Sequence, residues 1–263
     1  MILFLWQLLH PRIGRQTRSI GVTPGGPKPK PLTAYLATPL PPAPVTSMRF
    51  RLLKWNMYGN DTYGDCVFAA CAHCWMALVR LMRQRWSLTN SQVVAAYKAY
   101  MTKYDNGKDA GSTPSVVLQD WHTTGMWGTI LPAWCEIDHT DKNEVRQVLN
   151  SFGCLMVCVN LPKPAYTYQN GANYVQFRIP TWRLTGTPDD EVIVGAHEIA
   201  AIGYDKQFIY CVSWGMLVRV TQAWWNKYVI ETEALIVPAI VKGGAFDGLD
   251  FATLQTDLAA LRP

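Results

Sequence analysis

From Asp65 the chain reads CVFAACAHCWMALVRLMRQRW, apolar on almost every side at first and basic only at its far end. That is the pattern of a helix buried in the middle of a fold rather than lying on its surface. A second helix is expected after LTNS, with Val93, Val94, Tyr97 and Tyr100 on its apolar face. A third begins at STPSVVLQDW, where Thr113 can cap and Pro114 takes the first helical position. A fourth, DKNEVRQVLNSFG, carries Asp141 and Glu144 at capping-box spacing and ends on Gly153. Beyond Gly153 the period shortens, and CLMVCVNL, NYVQFRI, HEIAAIGY, QFIYCVSW, LVRVT and EALIVPA read as strands. A short helix QAWWNKYV and a closing amphipathic helix DFATLQTDLAAL interrupt and end that run. Helices first and strands second predict an α+β fold, with a helical half over 49–152, a β-rich, barrel-like half over 153–263 and no internal repeat.

Residues 1–48 follow neither period. They hold nine of the 17 prolines, including the tracts TPGGPKPKP and TPLPPAP, which can form neither a helix nor a central strand. The first acidic residue is Asp61, preceded by eight Lys and Arg, so a net charge of +5 leaves the remainder near −3. The positive charge belongs to an extended arm, and the arm is expected to make few contacts with its own cleft and to reach another protein chain. It lacks interleaved aromatics and any nucleic-acid motif, so nucleic acid is not the expected partner. The opening MILFLWQLL resembles the core of a signal peptide, but no basic segment precedes it and no small-x-small site follows. No run reaches the 18 or so apolar residues of a membrane span.

With 263 residues, 49% of them hydrophobic and 16% charged, the chain can bury a large core without staples. Its seven cysteines are an odd number and sit mostly inside apolar runs, which predicts reduced core residues and folding in a reducing cytoplasm. Cys71 and Cys74 flank His73 at CxxC spacing, but a lone pair within an apolar helix lacks the second ligand pair of a structural zinc site. No metal and no cofactor are expected.

One cysteine differs in position. Cys66 falls at the first turn of the buried helix, where the helix N-terminus favours a thiolate. Of the five histidines, His197 is the one that opens the β half, where a cleft between the two halves would let it face Cys66.

Together these segments resemble the papain-like cysteine peptidases. The family places a glutamine six residues before its nucleophile, and Asn60, Gly64, Asp65 and Cys66 stand at the matching places of GNDTYGDC. Its histidine opens a hairpin that returns as N-S-W-G; here HEIAAIGY returns as VSWG. The resemblance implies a two-lobe fold in which Cys66 attacks, His197 moves the proton and Asn60, with the Cys66 N–H, holds the oxyanion. It also places Gly111, Ser112 and Trp214 along the substrate cleft. Val212 stands where the family has the asparagine that orients the imidazole, and Asp65 puts a carboxylate beside the thiol. The wider pattern is similar to papain-like proteins of phages and prophages.

Two functions follow from the resemblance. The first is a hydrolase cleaving peptide or amide bonds of a peptide or protein substrate through a Cys66–His197 dyad, whose thiolate should persist well below the pKa of a free thiol. The second is a catalytically idle structural protein, a virion component anchored to a neighbouring chain by residues 1–48. An arm lying in the cleft would instead make it an inhibitory propeptide.

Overall fold

The computed structural model describes residues 20–48, 54–170, 179–240 and 247–261. The helical half comes first. Helix α1 (Cys66–Leu81) has 13 of its 16 residues buried, which is why its sequence shows no polar face. Around it lie α2 (Asn90–Tyr104) and α3 (Pro114–Thr123). Thr89 starts α2 with a complete capping box, its hydroxyl accepting the Gln92 N–H at 3.2 Å while the Gln92 side chain accepts the Thr89 N–H at 2.9 Å. Pro114 occupies the first turn of α3 as expected, but the Thr113 side chain makes no capping bond.

After strand β1 (Ala133–Glu136), Asp141 caps α4 (Lys142–Ser151) through the N–H groups of Asn143 and Glu144. The rest is mainly β: β2 (Leu155–Pro162), α5 (Lys163–Asn170), β3 (Thr181–Trp182), β4 (Ile193–Tyr204), β5 (Phe208–Ser213), β6 (Met216–Thr221), α6 (Gln222–Tyr228), β7 (Val229–Ile236) and the closing α7 (Phe251–Ala260). The strands form one sheet in the order β1-β7-β2-β4-β5-β6-β3, antiparallel except for the β3–β6 pair. Helix α1 packs on β4, so the core runs between the two halves. The α+β layout is as the sequence predicts. Strands β1 and β3 and helix α5 are additions, too short to leave a clear period. Residues 173–178 of the expected strand NYVQFRI lie outside the described residues.

All seven cysteines are free and buried, as their apolar settings imply. The described arm, 20–48, wraps its own globule. Its 3-10 turn Leu32–Tyr35 buries Leu32 and Tyr35, the Tyr35 carbonyl accepts the Asp250 N–H at 2.7 Å, and Ser47 exchanges two 2.8 Å backbone bonds with Tyr204. Gln147 reaches the Leu40 carbonyl at 3.0 Å and the Tyr204 hydroxyl reaches Pro44 at 2.9 Å.

His73 lies inside this core, its Nε2 2.8 Å from the Asn56 carbonyl and its ring between Trp55 and Tyr58. Burial lowers its pKa from 6.5 to about 4, with the Asn56 contact opposing. The unfolded chain takes the proton first, so this contribution is complete above pH 6.5 and is lost as pH falls through about 4. In urea unfolding, the His73→Gln variant should therefore lose less stability between pH 7 and pH 4 than the parent protein. Leu78→Ala, which empties a fully buried site on α1, should cost about 3 kcal/mol at neutral pH.

Candidate active site

Cys66 is the first residue of α1 and is fully buried. The loop before it is held from the helical half. The Tyr58 N–H donates to Asn90 Oδ1 at 3.1 Å, and the Gly64 N–H donates to Asp109 Oδ1 at 3.0 Å. The Tyr97 hydroxyl donates to the same Asp109 oxygen at 2.5 Å and accepts the Gly111 N–H at 3.0 Å. Asp109 and Tyr97 thus tie Gly64, two residues before Cys66, to Gly111. Neither was expected from the sequence, because a lone Asp in a loop and a Tyr on a helix face carry no spacing that marks them.

Asn60 and Asp65, the residue just before Cys66, are both buried. The Asn60 amide points within its own loop, with Nδ2 3.5 Å from the Tyr63 carbonyl. It lies near enough to Asp65 to lower that carboxyl's pKa, yet makes no aligned hydrogen bond to either oxygen. Asp65 does not cap α1. Burial instead pushes its pKa up to about 8, against the Asn60 contact, so at neutral pH it is mainly a neutral acid.

The thiol itself departs from expectation. Burial pushes Cys66 up to about 12, with hydrogen bonds from the backbone of Glu198 and Gly21 opposing and the nearby Glu198 and Asp65 carboxyls adding to the rise. A thiolate persisting below the free-thiol range is not what this form of the protein holds.

His197 lies on β4, opposite Val159 of β2, and the thiol contacts the backbone of its neighbour Glu198. Its Nε2 sits 3.0 Å from Ser213 Oγ, and its ring stacks on Trp214 at a centroid separation of 4.1 Å and 15° between planes. Val212, at the place where the resemblance puts an orienting asparagine, cannot accept a hydrogen bond. The side chain that meets the imidazole is that of the next residue, Ser213. Val212 pairs with Ala200 across the β4–β5 ladder, three residues from His197, so strand alternation turns Val212 to the other face and brings Ser213 to the histidine's face. Trp214, expected along the substrate cleft, is buried over the imidazole.

Gly111 and Ser112 are buried, and the arm pairs with their backbone. Ser112 N–H donates to the Gly21 carbonyl at 2.9 Å and the Thr23 N–H donates to the Ser112 carbonyl at 3.1 Å, pairing Val22 with Ser112 in parallel. Three glycines make this approach feasible. A Cβ on Gly111, whose φ is +82°, would stand 2.3 Å from the Gly21 carbonyl oxygen, and one on Gly21 would stand 2.5 Å from that of Gly64. On the β4 side, a Cβ on Gly195 would meet the Ile20 side chain at 3.0 Å. The expectation that the arm avoids its own cleft is overturned: an extended, glycine-bearing strand fits where a side chain would clash. Among the described residues, no group of His, Cys, Asp and Glu could hold a metal ion.

Comparison with solved structures identifies the fold as that of papain-like cysteine proteases. Xylellain, a cysteine protease from Xylella fastidiosa, superposes with a TM-score of 0.61 at 11% identity, over 84% of this chain and 97% of its own. Digestive procathepsin L 3 from the larval midgut of Tenebrio molitor matches with a TM-score of 0.56 at 11% identity, over 85% of this chain and 77% of its own. The cysteine protease and lectin-like domains of Cwp84, a surface-layer associated protein of Clostridium difficile, match with a TM-score of 0.56 at 9% identity, covering 89% and 58%. No family model and no curated protein sequence matches.

A buried thiol held at about 12 is almost wholly protonated at neutral pH. In the full chain, iodoacetamide should therefore label Cys66 no faster than Cys211, with the rate rising about tenfold per pH unit as the thiolate fraction grows. Peptide mapping across pH 6 to 9 checks this. Rapid labelling at pH 6 would show that the arm does not cover the thiol in solution.

Proposed function

We propose that the chain is a cysteine hydrolase of peptide or amide bonds, held latent by its own N-terminal arm. The observation that carries this reading is the backbone pairing of Gly21 and Thr23 with Ser112 beside Cys66, because a groove that pairs with one extended chain can pair with another. Cys66 Sγ is the nucleophile. With Nε2 engaged by Ser213, Nδ1 of His197 is the nitrogen that takes the thiol proton. The thiolate then attacks the substrate carbonyl, a C–S bond forms, and the oxyanion is met by the Cys66 N–H at the start of α1. Asn60 joins it once its loop turns the amide outward. The C–N bond breaks as His197 returns the proton to the leaving amine, and water hydrolyses the thioester with His197 as base. Trp214 keeps water from the His197–Ser213 bond.

The complete burial of Cys66 favours a second reading, in which both residues are structural and the chain is a scaffold, a virion component whose arm also meets another chain. Removing residues 1–26 separates the two. Under the hydrolase reading, the shortened chain should label at Cys66 at least tenfold faster at pH 7 and gain cleavage of a fluorescent casein substrate, while Cys66→Ala in the same background removes cleavage. Ser213→Ala should lower kcat on the order of tenfold or more with little change in KM, since it releases the imidazole and not the substrate. A shortened chain that is folded, labels quickly and cleaves nothing supports the scaffold.

A further inference from the structure

Further along the arm, Lys28 enters a set of carboxylates on the sheet. Its Nζ lies 3.0 Å from Glu136, 3.4 Å from Glu231 and 3.5 Å from Glu233. The strand register makes this a built arrangement. Glu136 of β1 stands directly opposite Glu233 of β7, while Cys158 of β2 stands between Glu231 of β7 and Glu198 of β4. Glu231 and Glu233 are two apart on one strand, so all these side chains share one face. Like charges directly opposite one another destabilise a sheet, and here two of the four are almost wholly buried, Glu198 at 2% and Glu233 at 0% exposure. Neither makes an aligned hydrogen bond to any described residue. Their pKa values rise through burial, with Lys28 opposing the rise at both. Among the described residues, Lys28 is the one cation within ion-pair distance of any of the four. Its side chain is 13% exposed, against 63% for Lys30, whose partner Asp257 lies 3.1 Å away on α7.

We propose that Glu136, Glu231 and Glu233, backed by the buried Glu198, form a binding site for a primary ammonium group, that Lys28 is its resident ligand, and that this site sets where the arm pairs with Ser112. An ammonium suits the site because it brings three N–H donors to acceptors that lie on several sides, whereas a quaternary ammonium of equal charge brings none. The proposal does not rest on hydrolysis: the site holds the arm whether or not Cys66 is reactive.

The test reads backbone hydrogen exchange at residues 21–26 in the full chain. Lys28→Ala removes the ammonium that Glu136, Glu231 and Glu233 share and should accelerate exchange there on the order of a hundredfold, with the α1 amides unchanged. Lys28→Met, which keeps the chain's volume, should do the same and serves if the alanine variant does not fold. Lys30→Ala should change exchange less than threefold. Ethylammonium should restore slow exchange to Lys28→Ala, while tetramethylammonium or Mg²⁺ at equal ionic strength should not. Unaltered exchange in Lys28→Met, or equal restoration by tetramethylammonium or Mg²⁺, overturns the proposal. If Lys28→Ala loosens the arm and no hydrolysis appears, the latent-enzyme reading fails while the ammonium site stands.

Discussion

Three backbones meet at Cys66: Gly64 before it, Gly111 across the groove and Gly21 of the arm between them. Each passes so close that a methyl group on Gly21 or Gly111 would stand 2.5 Å or less from a carbonyl oxygen. Real side chains do not tolerate that approach, and at Gly111 the positive φ adds a second barrier. The contact makes the Ser112 ladder to the arm feasible and brings Gly21 over the thiol. It is supported from behind by Asp109 and Tyr97, which hold Gly64 and Gly111 to one another through a shared carboxylate oxygen and a shared hydroxyl.

Burial decides the chemistry of the site in this form. A helix N-terminus contributes about 0.3–1 kcal/mol toward an anion, less than one pKa unit. Burial of Cys66 acts in the other direction and takes the thiol from 9.0 to about 12. Burial therefore wins by a wide margin. Burial likewise keeps Asp65 largely neutral, so a carboxyl that would oppose a thiolate is discharged.

The arm acts at two points on one path. In the groove it satisfies backbone groups of Ser112, and on the sheet it places Lys28 among carboxylates that have no other counterion among the described residues. The first contact is with backbone and tolerates many sequences. The second depends on a single ammonium, so the register of the arm across Cys66 follows from where Lys28 sits.

Much of the fold was legible in the sequence because its signals are local. The apolar run from Cys66, the caps at Thr89 and Asp141, the stop at Gly153 and the short apolar runs beyond it each announce an element through period or hydrogen-bonding chemistry within a few residues. The placing of Cys66 at the start of the buried helix and of His197 on a strand of the β half was legible for the same reason. What the sequence could not settle depends on contacts between distant residues. Whether Val212 or Ser213 faces the imidazole turns on strand register, which shifts by one residue without changing composition. Pro and Lys content showed that the arm is extended, but not that separated glycines let it pair beside Cys66 or that three glutamates on two strands receive Lys28. The charge state of Cys66 was the least legible feature of all: the helix terminus that favours a thiolate is written beside it, whereas the burial that outweighs it comes from residues far off in sequence that the tertiary fold packs around the thiol.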